Sequence, residues 1–283
     1  MLYLIRWIAL HLGRKPARLI LYPITLYFLL FAPAARRASV DYLSRVLERP
    51  VHWGHVARHI FTFSATILDR VYLLTGRHAL LDVQIHNFAT VQERLDAGSG
   101  CILLGSHLGS FEVLRALAIS RYRFPVKILM HEEHNETITR ILHSLNPDIA
   151  DSVIRPGTPD ALLLAREYLR QGYLIGILGD RASGKRKTLR CNILGSGASL
   201  PTGPLLAAAI LEVPVILFFG IYRGGNHYDI YFEKLADRIG SDRRQREREV
   251  QFRLQKYADR LSWHARHAPY NWFNFYDFWE TGS

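Results

Sequence analysis

Four short apolar runs leave this chain little freedom in how it folds: CILLGS (101–106), PVKILM (125–130), YLIGILGD (173–180) and PVILFFGIYR (214–223). Each has the length of a strand and is apolar at nearly every position, which is the pattern of a strand covered on both faces. A segment buried that way needs helices above and below it. The intervening stretch 158–171 supplies one, with Thr158 as cap, Pro159 in the first turn and Gly172 after the end. Strands alternating with helices predict an α/β fold, a largely parallel central sheet flanked by helices. HYDIYFEKL (227–235) alternates well enough to add a strand, and 241–267 reads as one long basic amphipathic helix with Val250, Leu254, Tyr257 and Leu261 on one face.

Ahead of this region lies a different texture. Residues 19–32, LILYPITLYFLLFA, are almost uninterrupted apolar sequence, with Arg14, Lys15 and Arg18 before and Arg36 and Arg37 after. The run has about the minimum length of a membrane span, and its deep basic flank argues against a cleaved signal peptide, so it is expected to form a retained N-terminal membrane-anchor helix, spanning or half-inserted. The chain then divides into an anchor with basic flanks (1–37), an amphipathic helical segment (38–80) and an α/β domain (81–283). Lys and Arg outnumber Asp and Glu by 36 to 25 over 283 residues, which favours an anionic partner. Charge alone does not choose among a membrane, an acidic protein and a nucleic acid, but no nucleic-acid-binding module is recognisable, so no nucleic acid is expected. Cys101 and Cys191 are far apart and lack CxxC spacing.

Chemistry is best placed at 101–120, where CILLGSHLGSFEVLRALAIS reads as strand, tight loop and helix. His107 leaves the strand and Glu112 enters the first helical turn, so the carboxylate could hold one imidazole nitrogen while the other takes a proton from a hydroxyl. The spacing alone is weak, since His131/Glu136 and His143/Asp148 repeat it. His107 stands apart because it lies beyond the carboxyl end of an apolar strand, where α/β folds place their ligands. HEEHNE (131–136) spaces its histidines by three where a zincin helix needs four, so no metal is expected. Neither a GxSxG elbow nor a phosphate-binding glycine loop occurs. A second cluster, 179–209, opens with Asp180 and Arg181 where the YLIGILG strand should end, near the same sheet edge as His107. Arg181 could bind a phosphate or a developing oxyanion, and Lys185, Arg186, Lys187 and Arg190 make the following stretch basic.

Taken in order, GSHLGSFE, GDR and GSGASLPTGPLLAAAILEVPV resemble the lysophospholipid acyltransferase superfamily, and within it the bacterial late acyltransferases of lipid A biosynthesis. The resemblance maps the family's HxxxxD/E dyad onto His107 and Glu112, its Asp-Arg block onto Asp180 and Arg181, and its Gly-x-x-Ala-x-x-Pro-x-Gly-Pro block onto Gly195, Ala198, Pro201, Gly203 and Pro204. It implies a fatty acyl transfer from acyl carrier protein, or from coenzyme A thioester, to a hydroxyl of a membrane lipid or glycolipid such as a lipid A precursor. It further implies a bacterial inner-membrane location with the catalytic domain facing the cytoplasm, and no cofactor. Beside the catalytic pair His107 and Glu112, the expected substrate-binding positions are Ser106, Gly109, Ser110, Asp180, Arg181, Lys185, Arg186, Lys187 and Gly203. Two segments depart from the family pattern, PVILFFGIYRGG and the aromatic tail PYNWFNFYDFW, and leave open another glycolipid, an aminolipid or a polyene-type lipid as acceptor. A non-catalytic lipid- or carrier-binding module on the same scaffold is the alternative reading.

Overall fold

The computed structural model describes residues 2–113, 125–130, 152–155, 160–182, 187–240 and 242–279, with side chains of 2–6, 243 and 244 excepted. The apolar runs form the middle of a seven-stranded sheet. In chain order its strands are β1 (Asp82–His86), β2 (Ile102–Gly105), β3 (Val126–Leu129), β4 (Val153–Ile154), β5 (Leu174–Leu178), β8 (Val215–Gly224) and β9 (His227–Ala236). Their spatial order is β1-β9-β8-β2-β5-β3-β4. Strands β8, β2, β5, β3 and β4 are mutually parallel, and the tight turn after β8 makes β9 antiparallel to it, with β1 parallel to β9. The expected mixed α/β architecture with a mostly parallel sheet is therefore observed.

Alternation along the central strands divides the core in two. Ile102 and Leu104 of β2, with Val215, Leu217, Phe219 and Ile221 of β8, face one cluster. Cys101, Leu103, Ile216, Phe218 and Tyr222 face the other. The first cluster is covered by α4 (Pro33–Leu47), α7 (Ala161–Arg170), α8 (Gly203–Leu211) and α9 (Arg243–His267). Val250, Leu254, Tyr257 and Leu261, the predicted apolar stripe of α9, are all buried there. The second is covered by α1 (Leu2–His11), α2 (Arg14–Leu19), α3 (Leu21–Phe31), α5 (Trp53–Leu74) and α6 (Ala89–Asp96).

The antiparallel pair β6 (Thr188–Ile193) and β7 (Ser196–Pro201) stands apart from the main sheet and packs on α9. Leu194 and Gly195 form its two-residue turn with φ of 51° and 82°, the left-handed pair that a type I′ hairpin requires. Gly195 in the family's third block is thus a turn residue. Gly203 and Pro204 then open α8, where proline costs no hydrogen bond.

The expected single anchor helix is not seen in that form. The apolar run is interrupted at Ile20 and Ala32, and α3 contains 11 residues. Among the described residues no single helix is long and apolar enough to cross a membrane; only the bent pair Arg14–Phe31 and Pro33–Leu47, turning by 96°, has the composition.

Candidate active site

Sheet register brings the central residues together. Gly105 of β2 is paired with Leu178 of β5, so His107 and Asp180 each lie two residues beyond a paired position at the carboxyl ends of adjacent parallel strands. Asp180 Oδ1 accepts a hydrogen bond from His107 Nδ1 at 2.8 Å, and Asp180 Oδ2 accepts one from the His107 backbone N–H at 3.0 Å. A third donor, the Trp272 indole Nε1–H, reaches Oδ2 at 2.9 Å. Asp180 is fully buried, whereas the His107 side chain keeps 31 % of its surface. Burial alone would raise the Asp180 pKa, but His107, by charge and hydrogen bond, then Arg181 and the indole overcome it and hold the carboxyl far below the usual carboxylate range. The carboxylate can only accept, so in the neutral ring Nδ1 carries the proton and Nε2 presents its lone pair.

Glu112 is placed otherwise than its spacing suggests. Its carboxylate lies 3.1 Å from Arg70 Nε on α5, and among the described residues no hydrogen bond joins it to His107. The contact expected of Glu112 is made by Asp180, a residue read from sequence only as substrate-binding.

The loop carrying His107 is fastened to two other parts of the chain. Ser110 N–H donates to Gly220 O at 2.7 Å, and Gly109 N–H to Asn271 O at 2.8 Å. Gly109 has φ of +83°, and a Cβ there would stand 1.9 Å from Gly220 O, so only glycine lets the loop close on β8. Ser106 Oγ accepts from Leu108 N–H at 3.3 Å, bracing the loop from within. Below it, Tyr257 of α9 donates to Gly105 O at 2.9 Å.

The aromatic tail closes this site. Leu108 and Trp272 form an antiparallel bridge, and Phe273 N–H donates to His107 O at 3.1 Å. Arg181 is held by the same segment, its guanidinium donating to Phe273 O at 2.7 Å and to Asn274 Oδ1 at 3.3 Å and lying 5.3 Å from the Tyr276 ring centroid. Asn271 imitates a strand residue, its amide exchanging hydrogen bonds with both backbone groups of Tyr222. Buried His59 of α5 donates from Nε2 to Trp272 O at 2.9 Å and accepts at Nδ1 from Ser39 Oγ of α4 at 2.8 Å. Burial pushes His59 down to about 4, so it is neutral at physiological pH. Sequence reasoning missed Trp272 and Asn271 as site residues, because nothing local marks them among seven aromatics of the tail.

Trp272→Phe removes one of the three donors on Asp180 and little of the packing. It is expected to lower the rate of the chemical step about 10–150-fold, equivalent to a lost hydrogen bond to a charged group, with a smaller change in KM. A kcat unchanged from wild type in single-turnover measurements would remove Trp272 from the site.

Among the other expected residues, Gly203 begins α8, and its neighbour Pro204 lies beside the end of β5, with Pro204 Cγ 3.6 Å from where a Cβ on Gly179 would stand. Lys187 is 66 % exposed and sits 3.6 Å from Glu247 on α9, and it lines a 320 Å³ groove with Thr202, Leu206 and Arg248. Lys185, Arg186, the HEEHNE segment and the pairs His131/Glu136 and His143/Asp148 lie outside the described residues.

A family model described as bacterial lipid A biosynthesis acyltransferase matches residues 57–279. A comparison with curated proteins finds no match. The matched span contains the sheet, His107, Asp180, the hairpin and the tail, and begins within α5.

Proposed function

Because this chain belongs to the bacterial lipid A biosynthesis acyltransferases and is thereby an acyltransferase, we propose that it moves a fatty acyl group from an acyl carrier thioester to a hydroxyl of a lipid or glycolipid such as a lipid A precursor. The donor is acyl carrier protein or coenzyme A, and the reaction takes place at the cytoplasmic face of the bacterial inner membrane. The observation that carries the mechanism is the accessible imidazole fixed by a buried carboxylate, His107 on Asp180.

With Nδ1–H held by Asp180, Nε2 takes the proton of the acceptor hydroxyl as its oxygen attacks the thioester carbonyl carbon. The carbonyl π electrons move to oxygen, giving a tetrahedral oxyanion and an imidazolium that Asp180 stabilises. Collapse re-forms the carbonyl and breaks the carbon–sulfur bond, and the imidazolium returns its proton to the departing sulfur. Arg181, anchored by the tail beside this loop, supplies fixed positive charge for the oxyanion or for a phosphate of donor or acceptor. Glu112, the carboxylate at the family spacing, acts from the adjacent helical turn through its ion pair with Arg70.

The test is to incubate detergent-solubilised protein with acyl carrier protein or coenzyme A charged with a radiolabelled fatty acyl group, and a membrane lipid extract. Alkali-labile label in a lipid fraction is expected, as an oxygen ester requires. Label bound through an alkali-stable amide, or none with either donor, would overturn the reaction as written. The donors are also distinguishable by charge. Neutralising Lys185, Arg186 and Lys187 together should raise KM for the acidic carrier protein more than for coenzyme A thioester, an effect that fades as salt shortens the Debye length from about 10 Å at 0.1 M to about 3 Å at 1 M. Equal losses with both donors would assign this segment to the acceptor or the fold.

A further inference from the structure

The first three helices have two opposed faces. On the inner face, Ala9, Ala17 and Leu21 are buried against Leu68 and Tyr72 of α5 and Tyr222 of β8. Polar contacts fasten the same face. Arg14 makes two hydrogen bonds to Asp69, at 2.7 and 2.8 Å, and one to Gly225 O. Arg18 donates to Tyr222 OH at 2.8 Å, Arg77 to Leu10 O at 2.8 Å and Tyr72 OH to Ala9 O at 3.2 Å. Beyond the bend, Ser39 and Tyr42 of α4 fix its other end to His59 and Trp272. Helix α3 is therefore held at both ends by the catalytic domain and lies along α5, with Leu21, Thr25 and Leu29 buried.

The outer face is apolar and uncovered. Leu19, Tyr22, Leu26, Tyr27, Leu30 and Phe31 are each 51–69 % exposed, and Trp53 stands beside the bend at 65 %. Exposed Lys15 precedes this surface and exposed Arg37 follows it. Apolar and aromatic side chains bordered by cations match the layered chemistry of an anionic leaflet, hydrocarbon beneath phosphate. A span, however, would carry Lys15 and Arg37 to opposite sides. Helix α3 is ~16 Å long at 1.5 Å per residue, about half of the ~30 Å hydrocarbon core. Drawing it across would require breaking its ties to α5 or submerging α5 with it.

We propose that α1–α3 and the elbow at Ala32 form an in-plane docking surface for one leaflet of an anionic phospholipid membrane, with both ends of α3 on the side of the catalytic domain. The inference rests on the proposed membrane location and specifies its depth. Single cysteines replacing Lys15, Arg37 and, as a reference on α9, Lys256 are exposed, while native Cys101 and Cys191 are buried. In inner-membrane vesicles of either orientation, an impermeant maleimide is expected to label all three from the same side. Labelling of Lys15→Cys and Arg37→Cys from opposite sides would establish a span and overturn the proposal.

Leu26→Glu with Leu30→Glu should reduce co-sedimentation with phosphatidylethanolamine–phosphatidylglycerol vesicles at least about 10-fold, since two apolar anchors become charged. Turnover of detergent-dispersed substrate should persist. Equal binding by wild type and variant would place the docking surface elsewhere. Failure of the wild type to bind any vesicle would overturn the membrane location itself. Self-association of the wild type, abolished by the double variant, in place of vesicle binding would make the face an interface between copies.

Discussion

His107→Ala and Asp180→Asn are each expected to lower kcat about 10²–10⁴-fold, the range that general base catalysis supplies. Asparagine at 180 is nearly isosteric, yet it cannot serve the site. Three donors converge on the carboxylate: the backbone N–H and Nδ1–H of His107, and the indole of Trp272. An amide has one accepting atom, so its NH₂ meets a donor in either orientation. With NH₂ toward the ring, Nδ1 must give up its proton and Nε2 becomes the protonated nitrogen, which cannot accept one from the substrate. With NH₂ toward Trp272 and the backbone, two buried donors lose their partner. Glu112→Gln should cost less, because Glu112 engages Arg70 and leaves the imidazole untouched. Single-turnover rates at saturating donor for the three variants decide the matter: near-wild-type chemistry in Asp180→Asn together with a large loss in Glu112→Gln would transfer the orienting role to Glu112.

The largest expected effect on stability comes from the buried ion pair between Arg14 of α2 and Asp69 of α5. Asp69 is fully buried and receives both Arg14 and the Tyr228 hydroxyl, the latter at 2.9 Å. Removing Arg14 leaves a buried carboxylate without its counter-charge, at a cost of about 3–5 kcal/mol. Arg14→Met should accordingly lower Tm by about 10 °C, taking about 2–4 °C per kcal/mol for a chain of this size class. Burial alone would weaken the Arg14 charge, but the hydrogen bond and charge of Asp69 reverse that and raise its pKa, so the guanidinium stays charged. Arg14→Met combined with Asp69→Leu should recover part of the loss, because no charge is then left to desolvate although the Tyr228 hydroxyl loses its acceptor. Thermal unfolding of the single and double variants in one detergent provides the measurement. A Tm in Arg14→Met equal to wild type would show that α2 does not depend on this pair.

Much of the fold was legible because its central strands announce themselves. Nearly every position of CILLGS, YLIGILGD and PVILFFGIYR is covered on both sides, and burial of that kind leaves an unbroken apolar run. Elements at the periphery carry weaker marks. Strand β1, DVQIH, is a half-exposed edge, and β4 contributes two residues. In the β6–β7 hairpin TLRCNI alternates polar and apolar residues but SGASLP does not, and the turn is set by Leu194-Gly195, a pair that reads as part of a motif rather than as a turn. The anchor was misjudged as one helix because hydropathy counts apolar residues without seeing which face is occupied; Leu21, Thr25 and Leu29 are core, while their neighbours are surface.

The active site shows the same division. His107 and Asp180 were each identified from their place after an apolar strand, but the choice of Glu112 as partner followed sequence proximity. Register decides the actual contact. Residues 105 and 178 are neighbours across β2 and β5, so two residues further on a carboxylate and an imidazole meet without any local signature. Trp272 is more remote still, since its indole, carbonyl and backbone bridge serve three different partners.

That arrangement has a consequence for the order in which a working enzyme can be made. Trp272 meets Asp180 across 92 residues and His59 across 213. During synthesis the His107 loop, the β5 terminus and the first five helices all emerge before the segment that binds them together, and contacts of such separation pay their loop-closure entropy before they return any stabilisation. A nascent chain halted short of residue 271 would hold the sheet residues, His107 and Asp180, but no indole on the carboxylate and no strap on the loop. The full capacity for acyl transfer is therefore completed late in translation, after the earliest helices have emerged.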